Sequence, residues 1–388
     1  MVLWLTLRPA PAQSATVAAL RWYCVACGAE GIADLLLNVL LFLPLGVAAR
    51  ALGWPARRTV LALGCISGAI ELTQGNLLPG RAGSLGDVIA NSCGAIIGWI
   101  AFPLVCALAR PSERFARRGT WLVVAAMCAT WLATGAGLRP ALERTRSWIG
   151  QLRPSSQYTE PFAGTVSDVT VNGATVRDGV VNPPIGTGDS LEVTLHVVRD
   201  DMRHPLHTAV LARIKDSDDN LEAHVSQVGE DLVLESRLRG SHWRLHTPRW
   251  RFDSALAIPL HSAWRFSWRW EPGAIVLTSW PDDKSQPVRE DRLTISVASG
   301  WAFIHPFVSV VGRSQGFWTA CWLAGWFGLL GWLAGSVRGP TRWLAGIAAV
   351  GGLAAIGSAM ALPVSMLELV IAAASYVVLL LAGARHTS

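Results

Sequence analysis

Residues 32–53 read IADLLLNVLLFLPLGVAARALG, a nearly unbroken apolar run that carries its first base only at Arg50. A helix of roughly 20 apolar residues crosses the hydrocarbon core of a bilayer. Six further runs follow at 59–76, 85–109, 119–138, 315–336, 342–361 and 363–383, so the sequence predicts seven spans. Composition agrees: 51% hydrophobic and 15% charged residues over a chain of 388 is too apolar for an ordinary soluble enzyme. Residues 150–312, between the fourth and fifth runs, hold eight of the nine histidines and most of the acidic residues. That segment belongs in water as a domain of its own. The expected fold class is an α-helical polytopic membrane protein of about seven transmembrane helices with an inserted all-β antiparallel sandwich.

A formal charge of +6 and a pI near 9 raise the question of nucleic acid. The arginines answer it, because they sit at the ends of apolar runs and not on one soluble surface. No nucleic-acid partner is expected. Arg50, Arg57 and Arg58 follow the first run, Arg110, Arg114, Arg117 and Arg118 the third, Arg338 and Arg342 the fifth, and Arg385 the last. Basic connections stay in the cytoplasm. Alternation then puts residues 1–31, the loop from Gly75 to Ser84, the 150–312 domain and the junction near Pro363 outside, with Arg139, Arg144 and Arg146 the one count against this orientation. Four regions are expected: an exported segment 1–31, a four-helix domain over 32–138, an extracytoplasmic sandwich over 150–312, and three helices over 315–384. Met1–Leu7 is too short to span, and a helix upstream of it would explain export of the first segment.

Ionisable groups inside a span cost roughly 2.5–3.5 kcal/mol each at its centre, so their placement is informative. The first run opens on Asp34 and Asn38, the second closes on Glu71 and Gln74, and the third opens on Asp87 and Asn91. Spacings of three and four put each pair on one helix face. The predicted topology brings all three pairs to the outer ends of their helices. Arg81, in the loop between the second and third runs, is the one base near these carboxylates. It has two open roles, pairing with Glu71 or Asp87, or binding an anionic ligand.

Asn38-Val-Leu-Leu-Phe42-Leu-Pro44-Leu-Gly46, then Ile70-Glu71-Leu-Thr-Gln74, then Arg81 leading into Asp87-Val-Ile-Ala-Asn91-Ser-Cys-Gly94-Ala-Ile-Ile-Gly98, resembles the VanZ-like membrane protein family over about residues 30–105. The resemblance implies a multi-pass protein of a bacterial-type cell membrane with a link to glycopeptide antibiotic resistance. It implies no reaction. Read from the residues, Asp34, Asn38, Glu71, Gln74, Arg81, Asp87 and Asn91 are candidates for binding a lipid headgroup, an envelope precursor or a glycan phosphate. The bland alternative is that they bind one another and hold three helices together. Pro44 and its flanking glycines read as a kink and close-packing positions.

From Phe162 onward the pattern shifts to short β-prone runs at Val166–Val171, Leu191–Val198, Ala209–Ile214, Ala223–Val228, Leu232–Leu238, Trp264–Trp270, Ile275–Ser279 and Leu293–Val297. Several alternate apolar with polar, and Asn172-Gly173, Asp178-Gly179, Gly186–Asp189 and Pro272-Gly273 mark turns between them. Such strands indicate an antiparallel sandwich. Their rhythm resembles a laminin G-like or concanavalin A-like jelly roll, a fold that implies carbohydrate binding. Trp243, Trp250, Trp280 and Trp301 are the candidate sugar platforms, against the alternative of sandwich core. Asp216, Asp218, Asp219 and Asn220 supply oxygen ligands suited to calcium but lack the glycine and distant glutamate of an EF-hand loop, and read as a solvated turn. His204 and His207 have no metal-ligand spacing on a helix.

Cys24 and Cys27 form a lone C-x-x-C, and the other five cysteines lie within apolar runs as small hydrophobes. No G-x-S-x-G, P-loop or zinc-protease helix occurs, so neither metal nor cofactor is expected and no catalytic class is declared. The expected function is a cell-envelope membrane protein that meets membrane lipids and binds an exported lipid-linked or glycan ligand. Two alternatives stand beside it. One is a membrane enzyme with Glu71 or Asp87 as general base and Arg81 on phosphate charge, and the other is a structural scaffold.

Overall fold

The computed structural model describes residues 25, 30–77, 83–142, 147–155, 159–182, 191–201, 208–218, 220–305, 310–312 and 314–386. Arg81, Cys24, Cys27, His204, His207, Asp219 and the Gly186–Asp189 turn lie outside the described residues. Among the described residues, the seven long helices are α1 (Gly31–Ala51), α2 (Ala56–Leu77), α3 (Leu85–Ala109), α4 (Glu113–Gly137), α5 (Gln315–Gly335), α6 (Thr341–Ala359) and α7 (Met366–His386). Six of them are long and apolar enough to cross a membrane, which is one fewer than the seven expected. The exception is α2, whose 22 residues are enough in length but whose ends carry Arg57, Arg58, Glu71, Gln74 and Asn76. It still runs alongside α3 in the opposite direction, since Ser67 and Glu71 near its end meet Asn91 and Ser84 near the start of α3.

The helices pack as two groups. In the first, α1 and α3 lie parallel and so close that a Cβ on Gly94 or Gly98 would fall on the backbone carbonyl of Val39 or Leu43, and one on Gly46 on that of Ala95. Small residues let backbones approach in this way where lipid supplies no hydrophobic drive. The second group uses the same device: Gly331 and Gly335 of α5 sit against the carbonyls of Tyr376 and Leu380 of α7. Although it follows α3 in the chain, α4 packs with this second group and not in a four-helix unit with α1–α3. Trp131 stacks on Phe327 with ring centroids 6.0 Å apart, and Gly135 and Gly137 leave room for Met360 and Phe303. Phe42, Leu63, Ile70 and Ala95 form a small core inside the first group. A second, continuous core joins α4–α7 to the sandwich through Trp131, Phe327 and Phe303.

The inserted domain is a two-layered sandwich with fourteen strands among the described residues: β1 (Trp148–Leu152), β2 (Thr159–Pro161), β3 (Gly164–Val171), β4 (Ala174–Thr175), β5 (Gly179–Val181), β6 (Glu192–Arg199), β7 (Thr208–Asp216), β8 (Leu221–Val228), β9 (Asp231–Ser236), β10 (Arg249–Phe252), β11 (Ala263–Glu271), β12 (Ala274–Pro281), β13 (Arg289–Thr294) and β14 (Val310–Val311). One sheet runs β14-β10-β9-β8-β7-β1-β5 with β2 beside β7, and the other β13-β12-β11-β6-β3-β4. Neighbours are antiparallel except the short parallel pairs β2–β7 and β10–β14. The alternation in Leu191–Val198 appears as strict in–out burial along β6. Trp148, Trp250, Trp268, Phe252 and Phe266 fill the space between layers. The run at Leu293–Val297 is a correction: the strand is Arg289–Thr294, and Val297–Phe303 coils into a 3-10 turn whose residues are all buried.

Sidedness is consistent throughout. The start of α1 bonds to Arg244 of the domain, the end of α4 packs on Phe303, Thr319 near the start of α5 bonds Trp301, and Glu368 in the first turn of α7 bonds Ser296. At the far ends, Trp99 bonds the Trp54 carbonyl and Trp332 of α5 donates to the Leu108 carbonyl of α3. The sandwich therefore caps one end of the helices, while Arg50, Arg57, Arg58, Arg110, Arg114, Arg117, Arg118, Arg338, Arg342 and Arg385 gather at the other. A separation of this kind is the charge asymmetry of a multi-pass protein.

Candidate functional site

The polar pairs of α2 and α3 meet at the sandwich end of the first helix group. Ser84 caps α3, its hydroxyl accepting from the Asp87 amide at 3.3 Å, and its own amide donates to Glu71 Oε2 at 2.9 Å. A carboxylate at the end of one helix thus meets the positive end of the next, a favourable arrangement. One turn deeper, Asn91 Nδ2 donates to Ser67 Oγ at 2.8 Å. Glu71 and Asn91 are each only 3% exposed and Gln74 only 6%. The other end of the Asn91 amide, Oδ1, is buried and accepts no hydrogen bond among the described residues.

Asn38 lies on α1 at the same level, one residue before Val39, which packs on Gly94. Asp34 departs from the expected convergence: its carboxylate turns to the sandwich, where Oδ1 stands 3.5 Å from His246 Nε2. The cause is the docking of its helix. The amides of Ile32 and Ala33, which have no partner inside the helix, both donate to the Arg244 carbonyl. Glu30 accepts from the Thr247 amide. Burial works against charge on His246, but the hydrogen bond to Asp34, the charges of Glu30 and Asp34 and the His305 carbonyl outweigh it and raise its pKa above the ordinary histidine value.

The sandwich sorts its four candidate tryptophans. Trp250 and Trp301 are core, whereas Trp243 is exposed and Trp280 half-buried beneath the Arg265 guanidinium. The acidic loop is a turn: Asp216 accepts from the amides of Asp218 and Asn220, from Asn220 Nδ2 and from Arg237. The last of these supplies the positive charge that an ion would bring. Among the described residues no group of three histidine, cysteine or acidic side chains is arranged to hold a metal ion.

Sequence reasoning missed Ser67 and Ser84, although Ser84-Leu-Gly-Asp87 is a readable capping pattern. It also missed His246, which has no sequence signal because its partners lie more than 200 residues away. Residues 4–106 match the VanZ/LLP1 family model. No curated protein and no solved structure matches the chain. The match spans α1, α2 and nearly all of α3 and ends before α4, at the same boundary where the packing changes partners, so it is the N-terminal part of the chain that is similar to that family.

Proposed function

We propose that this is a cell-envelope membrane protein that binds the polar headgroup of an exported lipid-linked or glycan ligand at the sandwich end of α1–α3. The reading takes that end as the extracytoplasmic one, on the arginine distribution. The carrying observation is Asn91 Oδ1, a buried acceptor that meets no donor among the described residues, at a cost of about 1–3 kcal/mol. With Glu71 and Asp87 close by, the surroundings are rich in acceptors. A ligand that supplies hydroxyl, amide or ammonium donors answers that chemistry, and sugars and aminated headgroups do so. The Ser84–Glu71 and Ser67–Asn91 bonds tie α2 to α3, as a scaffold would require, but leave Oδ1 unmatched. Trp243 and Trp280 are the accessible aromatic platforms for any glycan portion on the sandwich.

The test compares wild-type protein with Asn91→Leu and Glu71→Gln, each purified in mild detergent and examined by native mass spectrometry for retained envelope lipid. Binding is expected to weaken about tenfold or more in both, the equivalent of one good hydrogen bond. Asn91→Leu gives up the bond to Ser67 Oγ together with the buried Oδ1, two opposed effects that should leave its melting temperature near wild type. A variant that loses stability but retains lipid would instead make these residues structural glue.

A further inference from the structure

Outside the polar pairs of α2 and α3, the described residues hold one more constellation that joins the two groups of the molecule. His246 lies in the segment that follows the 3-10 turn Arg239–Trp243, and its two ring nitrogens face different elements. Nδ1 is 2.9 Å from the carbonyl oxygen of His305. A carbonyl can only accept, so Nδ1 carries a proton. Nε2 faces the carboxylates of α1, 3.5 Å from Asp34 Oδ1 and 3.9 Å from Glu30 Oε2. When Nε2 also carries a proton the ring is an imidazolium, placed to donate toward these carboxylates. Its side chain is only 11% exposed, while those of Asp34 and Glu30 are 62% and 43% exposed and also meet solvent.

Around this ion the backbone makes three further bonds in the same direction. Ile32 and Ala33 donate to the Arg244 carbonyl at 3.1 and 3.2 Å, and Thr247 donates to Glu30 Oε1 at 3.1 Å. Arg244 is held at φ 54°, a left-handed conformation uncommon for a residue with a side chain. Of the neighbouring charged and titratable groups, Arg237 is engaged by Asp216 and Glu222 and stands near His242 at 3.3 Å, and the His305 ring packs edge-on against Trp301 and Trp318. At the far ends of the helices, a single side-chain bond, Trp332 to the Leu108 carbonyl, connects the two groups among the described residues.

We propose that His246, in its doubly protonated form, is a proton-operated clasp that fastens the first helix of the VanZ-like bundle to the sandwich, and that loss of this proton lets the two separate. Loss of the Nε2 proton leaves a lone pair facing two carboxylates, which turns attraction into repulsion. The direction of the pKa shift agrees in sign. A histidine whose folded pKa lies above its unfolded value of about 6.5 contributes stability that is complete below that value and is lost as pH rises through the raised one. The clasp is therefore closed in mildly acidic surroundings and opens as they turn alkaline. Its operation does not depend on what the polar pairs bind.

Hydrogen exchange read by mass spectrometry on the full-length protein in nanodiscs tests this, with protection factors corrected for intrinsic rates. The reporters are the peptides covering 30–36 and 244–248, and β6 and β11 serve as internal controls for global folding. In wild type, reporter protection is expected to fall roughly tenfold or more between pH 6 and pH 8.5 while the controls hold. His246→Gln, which cannot charge, should show low reporter protection at both pH values. Asp34→Asn should move the wild-type midpoint to lower pH by roughly one unit, because one anion that favours the proton is gone. Constant reporter protection in wild type, or a transition that survives in His246→Gln, overturns the proposal. If His246→Gln fails to fold, the wild-type titration and the Asp34→Asn midpoint decide the matter.

Discussion

Gly94 has no side chain because the Val39 carbonyl of the neighbouring helix occupies the place where one would go, and Gly98 meets Leu43 in the same way. Replacing Gly94 with Ile must push α1 and α3 apart, an overpacking cost of roughly 1–3 kcal/mol. Gly68→Ile serves as the control, since nothing stands within 4 Å of that position. Thermal melts in detergent should separate the two variants, the first melting lower and the second near wild type. Arg237 offers a second residue-scale test. It bonds Asp216 and Glu222, which are 1% and 0% exposed, so Arg237→Ala takes the cation away from two buried carboxylates at an expected cost of about 3–5 kcal/mol, read by denaturation of the sandwich. The pH dependence follows from the same group. Burial works against the Asp216 charge, but hydrogen bonds from Asn220 and the Arg237 guanidinium hold its carboxyl below the ordinary aspartate value. Its stabilisation is present above that ordinary value and lost as pH falls through the lowered one, so the wild-type sandwich should lose stability in acid below about pH 4, and the Arg237→Ala domain should lose less over that range.

At the scale of elements, α7 shows how a helix is seated. Ser365 and Glu368 form a reciprocal capping box: Ser365 Oγ accepts from the Glu368 amide, and Glu368 Oε2 accepts from the Ser365 amide. Glu368 Oε1 then accepts from Ser296 Oγ at 2.6 Å, pinning the helix start to the sandwich. Glu368→Ala loses both cap and pin, and a fall in stability of about 1–2 kcal/mol is expected in chemical denaturation, with Ser296→Ala costing the smaller share. The Ser-x-x-Glu pattern at Ser365–Glu368 stands in the sequence as a capping box. The apolar runs were readable because lipid imposes a length on every span, and the alternating strands because a sandwich buries one face of each. β10 was passed over although Arg249-Trp-Arg-Phe252 alternates as plainly as β6 does. β13 was misplaced because its residues are charged, Arg289, Asp291 and Arg292 among them, so hydrophobicity pointed past it to the buried 3-10 turn. Of the candidate site, the pairs on α2 and α3 could be read from local spacing. The turning of Asp34 toward His246 could not, because it depends on how a distant segment docks.

For the whole molecule, the sandwich and the arginine-rich helix ends occupy opposite poles. A cysteine introduced by Val180→Cys, at a position 76% exposed on the sandwich, should react with an impermeant maleimide added to intact cells, whereas Leu52→Cys, 74% exposed at the arginine pole, should react only after the membrane is opened. The reverse pattern would invert the orientation on which the proposed function relies. The separation of the two hydrophobic cores has a further consequence. Each group buries its own apolar side chains, and the chain passes from one to the other through the short connection Arg110–Ser112. That connection is a tether, and its contribution is to keep high the local concentration of two partners that need not share a polypeptide. Residues 1–110 and 111–388 produced as separate chains in one cell should each insert, and should purify together in so far as the clasp at His246 holds them.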